Sequence, residues 1–212
     1  MRSTVDGLIY WKLLSSFEFK TFLEIGIYQG LTTGLFFDSN PQAKVLAIDP
    51  VDRLDLLREI YPETQNNFEF INDYSTNVSI DGTYDFILID GDHDHATVWQ
   101  DIKSCLPLLS PSGVLAIDDY KLPGVATALK ELYNCNSKLV PFLKAEQSIF
   151  WHYPDNDRGA FLDALLNDPI SNFVFVQNEN DYKNNVICSA KTLAIFTDMT
   201  EYFDLALRHY NI

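Results

Sequence analysis

From residue 21 to residue 118 the chain alternates short apolar runs with stretches of helical periodicity, the pattern of a parallel sheet whose strands are joined by crossover helices. Residues 21–25 (TFLEI) predict a first strand, followed by a glycine-bearing turn and a helix over 31–37. Residues 44–49 predict a second strand stopped by Pro50, 54–60 a helix, and 68–71 a third strand. Residues 84–90 (YDFILID) form the clearest strand, nearly all apolar, as expected when both faces of a sheet are covered. A helix with Ala96, Trp99, Ile102, Lys103 and Leu106 at helical spacing follows. A turn at 111–113, a strand over 114–118, a helix over 125–133 and two hairpin strands at 138–142 and 147–152 complete the series. Three strands end in an acid: Asp49, Asp90 and Asp118. Ligands of open α/β sheets bind outside the carboxyl ends of the strands, so these acids are expected on one binding rim.

This reading divides the chain into an N-terminal accessory, 1–19, with a helical stretch at 8–14, a central domain, 20–152, and a C-terminal α/β extension, 153–212. In the extension, 159–166 and 199–209 read as helices and 173–176 and 186–188 as strands. Its aromatic residues, Phe161, Phe173, Phe175, Tyr202, Phe203 and Tyr210 among them, imply burial as a cap over the site or as a homo-oligomer surface.

Charge and composition bound the partners. Thirty acidic residues against 15 basic ones leave a formal charge of −15, which repels phosphate backbones and anionic bilayers. Nucleic acid and membrane are therefore not expected partners. No apolar run approaches the roughly 18 residues needed to span a bilayer, and no cleavable leader is legible, so a cytoplasmic location is expected. Cys105, Cys135 and Cys188 are widely spaced and form no CxxC pair, which argues against a disulfide framework or a cysteine-rich zinc site.

The chemistry concentrates on the strand ends. Glu24-Ile25-Gly26-Ile27-Tyr28-Gln29-Gly30 lies where a strand turns into a helix. Gly26 and Gly30 let the backbone approach a ligand closely, and the helix N-terminus offers unpaired N–H groups to a carboxylate. Asp49, at the end of the next strand, is placed to accept hydrogen bonds from ribose hydroxyls. That pairing points to an adenosine ligand and is shared by NAD-binding and methyltransferase folds.

FLEIGIYQGLTT resembles the first motif of class I, S-adenosylmethionine-dependent methyltransferases, and among them the catechol and caffeoyl-coenzyme A O-methyltransferases, with a Glu before the turn, Gly-x-Tyr-x-Gly and a hydroxyl residue at Thr32. IDGDHD resembles the segment after their fourth strand, which carries a metal-binding Asp and, three residues on, a basic catalytic residue. IDDYKLPG resembles the end of their fifth strand, where an acidic pair completes the metal site. Asp-His in the first segment with Asp-Asp in the second is most similar to macrolide-sugar O-methyltransferases and cephalosporin-hydroxylase-like proteins. The resemblance covers about residues 20–152. It implies a Rossmann-like, mostly parallel seven-stranded sheet with a closing antiparallel hairpin and helices on both faces.

Carried over by position, the resemblance places Glu24, Gly26, Tyr28, Gly30, Thr32, Asp49 and Asp90 around S-adenosylmethionine, with Asp73 and Ser75 flanking the adenine. It makes Asp90, Asp118 and Asp119 ligands of Mg²⁺, whose preference for hard oxygen donors such a set meets, and His93 the general base. The implied reaction is O-methyl transfer to a small hydroxylated acceptor, a sugar or diol. Other readings stand beside these. Asp73 can serve an Asx turn, and Tyr28 can cover apolar surface. His93 and His95 together suggest a metallohydrolase site, although His152 and His209 lack matching acids. A hydroxylase-like or non-catalytic cofactor-binding protein on the same fold, or an NAD-dependent oxidoreductase, are the competing functions; the closing hairpin and the double Asp have no purpose in the last.

Overall fold

The computed structural model describes residues 18–62, 66–135, 138–145, 147–153, 174–176 and 192–194. Parallel strands β1 (Thr21–Ile25), β2 (Lys44–Ile48), β3 (Phe68–Ile71), β4 (Tyr84–Ile89) and β5 (Leu109–Ile117) alternate with helices α1 (Leu31–Ser39), α2 (Asp55–Ile60), α3 (His95–Cys105) and α4 (Pro123–Cys135). A short 3₁₀ turn, Ser75–Asn77, lies between β3 and β4. The hairpin β6 (Val140–Ala145) and β7 (Ser148–His152) pairs antiparallel, and β7 runs antiparallel to β5. Two short strands, β8 (Val174–Val176) and β9 (Thr192–Ala194), extend the sheet, giving the order β3-β2-β1-β4-β5-β7-β6-β9-β8. The expected seven-stranded mixed sheet is present, and the C-terminal region adds these two strands through β9 on β6. The helix at 8–14, the helices at 159–166 and 199–209, the strand at 186–188 and the cap or oligomer role of 153–212 lie outside the described residues.

Burial follows from strand position. In β1 and β4, which have partners on both edges, Phe22, Leu23, Phe86, Ile87 and Leu88 are fully buried. Alternation along β1 sends Leu23 and Ile25 into the core shared with α3 and α4, where Val98, Ile102, Leu129 and Trp151 meet them. Phe22 belongs to an aromatic group with Phe36 of α1 and Phe86, at centroid separations of 4.5 and 5.2 Å. Each such buried side chain contributes about 1.5–3 kcal/mol of apolar transfer free energy.

One expected turn is absent. Residues 111–113 lie within β5, where the register against β4 jumps from Leu109 opposite Tyr84 to Val114 opposite Phe86. Pro111 and Ser112 are exposed there. Proline has no N–H for a ladder, and a bulge at that point lets the strand pass it without losing its direction.

Candidate active site

Strand ladders carry the acids to the rim. Asp49 N donates to Ile71 O, Asp90 N to Ile25 O and Asp118 N to Ile89 O, so each acid is the residue that leaves the sheet at its carboxyl edge. The cleft above these ends has a volume of about 1100 Å³. Glu24, Gly26, Tyr28, Thr32, Asp49, Ser75, Asp90, His93, Asp118 and Asp119 all line it. Gly30 and Asp73 do not.

Gly26 is at φ 85°, and a Cβ there would fall 2.3 Å from the Asp90 carbonyl oxygen and 2.5 Å from Gly91 Cα. Only glycine lets the β1 turn lie against the end of β4, which brings the loop and Asp90 to one cleft. Gly30, at φ 76°, serves beneath the loop, where a Cβ would meet Leu57 at 2.8 Å. Glu24 is buried and accepts a hydrogen bond from Thr33 Oγ1 of α1, tying the strand to the helix that follows the loop.

Asp49 holds the loop in shape. Its Oδ2 accepts from Tyr28 N at 3.0 Å and its Oδ1 from Val51 N at 2.8 Å, while Tyr28 itself adopts φ 50°. The Tyr28 ring projects outward beneath the Arg53 guanidinium, 5.1 Å from its centroid. Asp73 Oδ1 instead accepts from Tyr74 N and Asn77 Nδ2, which closes the turn after β3. The other post-β3 residue, Ser75, does face the cleft, and its Oγ donates to Asp101 Oδ1 of α3 at 2.5 Å.

At the β4 and β5 ends, Asp90, His93 and Asp119 each offer a ligand atom, all within 4.8 Å of one another. His93 Nε2 lies 2.8 Å from Asp119 Oδ2. Asp119 sits at φ 55°, a backbone state that costs a non-glycine residue on the order of 1 kcal/mol or more and turns its carboxylate toward His93. The Asp118 carboxylate lines the same cleft but accepts from Ser148 Oγ of β7 at 2.5 Å. The donor set gathered here is thus two carboxylates and an imidazole, with Asp118 fastened to the hairpin beside it. These donors fit a divalent cation: hard oxygens of the kind Mg²⁺ takes, and a nitrogen that transition-metal ions accept.

The loop carrying His93 is itself fixed. Asp92 Oδ1 accepts from His93 N and Asp94 N, and these backbone bonds hold the Asp92 carboxyl below the usual range. Gly124, in the first turn of α4, packs so closely that a Cβ would fall 2.2 Å from the His93 carbonyl oxygen. His95 begins α3 and places Nε2 2.9 Å from Glu131 Oε1 of α4. It joins the two helices and does not enter the cluster of Asp90, His93 and Asp119, which leaves the metallohydrolase pairing without its second histidine. Lys121 lies over the Tyr120 ring, 5.7 Å from its centroid, outside the lining of the cleft.

Asp101, Arg53 and Gly124 are site residues that motif reasoning passed over. An acid in mid-helix reads as a solvated face, yet Asp101 is 2% exposed, and burial lifts its carboxyl to about 6, with Asp92 adding to the rise and the Ser75 hydrogen bond opposing it.

Residues 23–120, just under half of the chain, match a family model described as a methyltransferase domain. No protein of curated function matches in sequence. Among solved structures, the S-adenosylhomocysteine-bound methyltransferase PaMTH1 of Podospora anserina superposes with a TM-score of 0.62 at 17% identity, over 73% of this chain and 80% of its own. An O-methyltransferase from Bacillus cereus, also in complex with S-adenosylhomocysteine, gives 0.57 at 13% identity, over 71% and 80%. The N-methyltransferase NodS of Bradyrhizobium japonicum, again with S-adenosylhomocysteine, gives 0.53 at 16% identity, over 70% and 86%. At these identities the likenesses establish the fold. Together with the match of residues 23–120 to the methyltransferase-domain model, they place this region of the chain in the fold that these methyltransferase structures share.

Proposed function

We propose that the chain transfers a methyl group from S-adenosylmethionine to a hydroxyl of a small sugar- or diol-like acceptor, with Mg²⁺ assistance. The observation that carries this reading is the continuity of the cleft: the Gly26–Asp49 apparatus and the Asp90, His93 and Asp119 cluster line one space. The methyl donor is a sulfonium and already reactive, so the protein has to supply a deprotonated oxygen aligned with the methyl group. Asp90 and Asp119 would hold the cation, with Asp118 adjoining. A bound divalent cation lowers the pKa of acceptor hydroxyls and orients them. His93 accepts the hydroxyl proton at an imidazole nitrogen, and the Asp119 carboxylate beside Nε2 orients the ring and stabilises the imidazolium. Thr32 and the α1 N-terminus would receive the donor's carboxylate, and Asp49 its ribose. The acidity of the cleft suits a donor carrying a sulfonium and an ammonium group.

The test is a panel of sugars, catechols and flavonoids screened for S-adenosylhomocysteine formation with and without EDTA. Turnover that stops in EDTA and returns with Mg²⁺ is expected. Turnover that persists in EDTA removes the metal from the reaction, and methylation of amines alone removes the hydroxyl. Binding of S-adenosylhomocysteine with no turnover on any acceptor moves the chain to the non-catalytic reading. Loss of His93 to Ala is expected to lower the rate by roughly 10²- to 10⁴-fold while leaving cofactor affinity largely intact. Full rate in that variant across pH 6 to 9 would pass the base role to another group.

A further inference from the structure

Of the two adjacent acids that follow β5, one joins the cluster beside His93 and the other does not, and the register of the sheet decides which. Strands β5 and β7 pair antiparallel with Ile117 opposite Ile149, so the next step along each strand brings Asp118 opposite Ser148. Side chains directly opposite in such a pair share a face, with Cβ atoms about 4.5–5.5 Å apart. The contact is made: Ser148 Oγ donates to Asp118 Oδ1 at 2.5 Å, from a residue only 2% exposed. The backbone beside it holds the same register, since Tyr120 N donates to Gln147 O at 3.0 Å. Asp119, at φ 55°, turns instead toward the cluster, where its Oδ2 lies 2.8 Å from His93 Nε2. The ligand atoms of Asp90, His93 and Asp119 all lie within 4.8 Å of one another, and Asp118 does not belong to that group.

We infer that Ser148 withholds Asp118 from the cation, so that the ion meets two carboxylates, Asp90 and Asp119, although three stand at the rim. The inference rests on the cation reading above and adds the residue that sets how many carboxylates the ion meets. A hydroxyl donating to an ionised carboxylate forms a charge-assisted bond, stronger than a neutral one, and at a buried position water does not replace it. To reach the ion, Asp118 has to give that bond up. A hydroxyl behind a carboxylate can also orient it toward a metal, and removing such a partner weakens binding by roughly 10- to 100-fold. The two roles differ in the sign of their effect. Position favours withholding, because an orienting partner stands behind a carboxylate that is already in the cluster, and Asp118 is outside it. Mg²⁺ is held in many sites by one or two protein carboxylates, with its other positions left to water and substrate oxygens. A two-carboxylate site of that kind keeps room for the hydroxyls of an acceptor.

Titration of the full chain with Mn²⁺, followed by the electron paramagnetic resonance signal of the free ion, tests this without an acceptor and without turnover. Ser148→Ala is expected to bind Mn²⁺ roughly 10-fold more tightly than wild type, because Asp118 is released to the ion. Asp118→Asn, whose amide oxygen still accepts from Ser148, is expected to stay within about 10-fold of wild type, the loss of a charge near the ion but not on it. Asp119→Asn is expected to lose saturable binding. In the double variant Ser148→Ala with Asp118→Asn the gain is expected to vanish, leaving the affinity of Asp118→Asn alone. Unchanged or weaker binding in Ser148→Ala overturns the inference, as does a gain that survives in the double variant. Loss of saturable binding in Asp118→Asn makes Asp118 a ligand of the wild-type chain and overturns it too; this variant alone decides if Ser148→Ala does not fold. Absence of saturable Mn²⁺ binding to the wild-type chain overturns the cation reading itself and the inference with it, whereas a failure in the variants alone leaves that reading standing.

Discussion

Asp101 and Asp49 are two buried acids with opposite electrostatic situations. Asp49 accepts two backbone N–H groups and so supports the loop that it would serve as a ribose acceptor. Its replacement by Ala is expected to cost about 1.5–3 kcal/mol in S-adenosylhomocysteine binding, read by calorimetry, and unchanged affinity would remove it from the site. Asp101 has one hydroxyl partner and an acidic neighbour, and its carboxyl titrates near 6 in the fold. A folded pKa above the unfolded value means that the native state holds a proton that the unfolded chain has released. Between about pH 4 and pH 6 the contribution of Asp101 to stability therefore falls as pH rises, by up to roughly 3 kcal/mol for a shift of this size. Asp101→Asn keeps a partner for Ser75 and abolishes that loss. Urea unfolding without ligand should find the variant little different from wild type at pH 4 and more stable from pH 6 upward; a difference independent of pH would contradict the assignment. Asp49 was legible because a strand-end acid after a glycine turn has a recognisable spacing. Asp101 was not, because its burial depends on where the turn after β3 lands on α3, a tertiary contact with no local signature. The same holds for Asp118 and Asp119. Which of two adjacent acids faces His93 is decided by the positive φ at Asp119 and by Ser148, thirty residues away from Asp118.

Strand and helix placement was legible wherever the apolar period was long, as in β4 and α3, and failed where a proline sat inside a strand. Pro111 reads as a stop, yet in the fold it marks a bulge in β5, since a strand held by β4 on one edge and β7 on the other tolerates a local register shift. Gly26 and Gly30 were read as a turn that lets the backbone approach a ligand, and the distance that a glycine sets between two elements was not legible. Gly124 shows the difference, because it stands at the start of α4 where the helix meets the backbone of residues 93–95. Gly124→Ala would force Cβ against the His93 carbonyl, so the helix or the loop must give way, at a cost of roughly 1–3 kcal/mol. The expected signature is a fall in turnover number with S-adenosylhomocysteine affinity within about 2-fold of wild type, since Gly26 and Asp49 lie on the other side of the rim. Equal losses in both would mean that α4 supports the whole cleft and does not act through His93.

On the scale of the whole molecule, a chain with a formal charge of −15 gathers Asp90, Asp118 and Asp119 at the edge where β4 and β5 end. Their backbone positions are set by strand ladders that continue into the buried core, so the carboxylates cannot separate without disturbing the sheet. Among the described residues no helix is long and apolar enough to cross a membrane. The mutual repulsion of the carboxylates is part of the fold's standing cost and is relieved by a cation or by protons. If Asp90 and Asp119 hold a divalent cation beside His93, the native state alone holds that geometry, and binding must stabilise folding by RT ln(1 + [M]/Kd). At a metal concentration one hundred times Kd this is about 2.7 kcal/mol, which for a domain of this size raises Tm by roughly 5–10 °C. The control is charge screening, which any salt supplies to so acidic a chain. The measurement is therefore a melting curve in Mg²⁺ and in Mn²⁺, each matched for ionic strength with NaCl, on wild type, Asp90→Asn and Asp119→Asn. A saturable rise in Tm with the divalent ion alone, lost in both variants, is expected. The Asp90→Asn and Asp119→Asn variants should themselves melt slightly above wild type in metal-free buffer, because each removes one of the crowded charges. A rise that NaCl reproduces, or one that survives both substitutions, would assign the effect to the surface charge as a whole and leave the cluster without a cation.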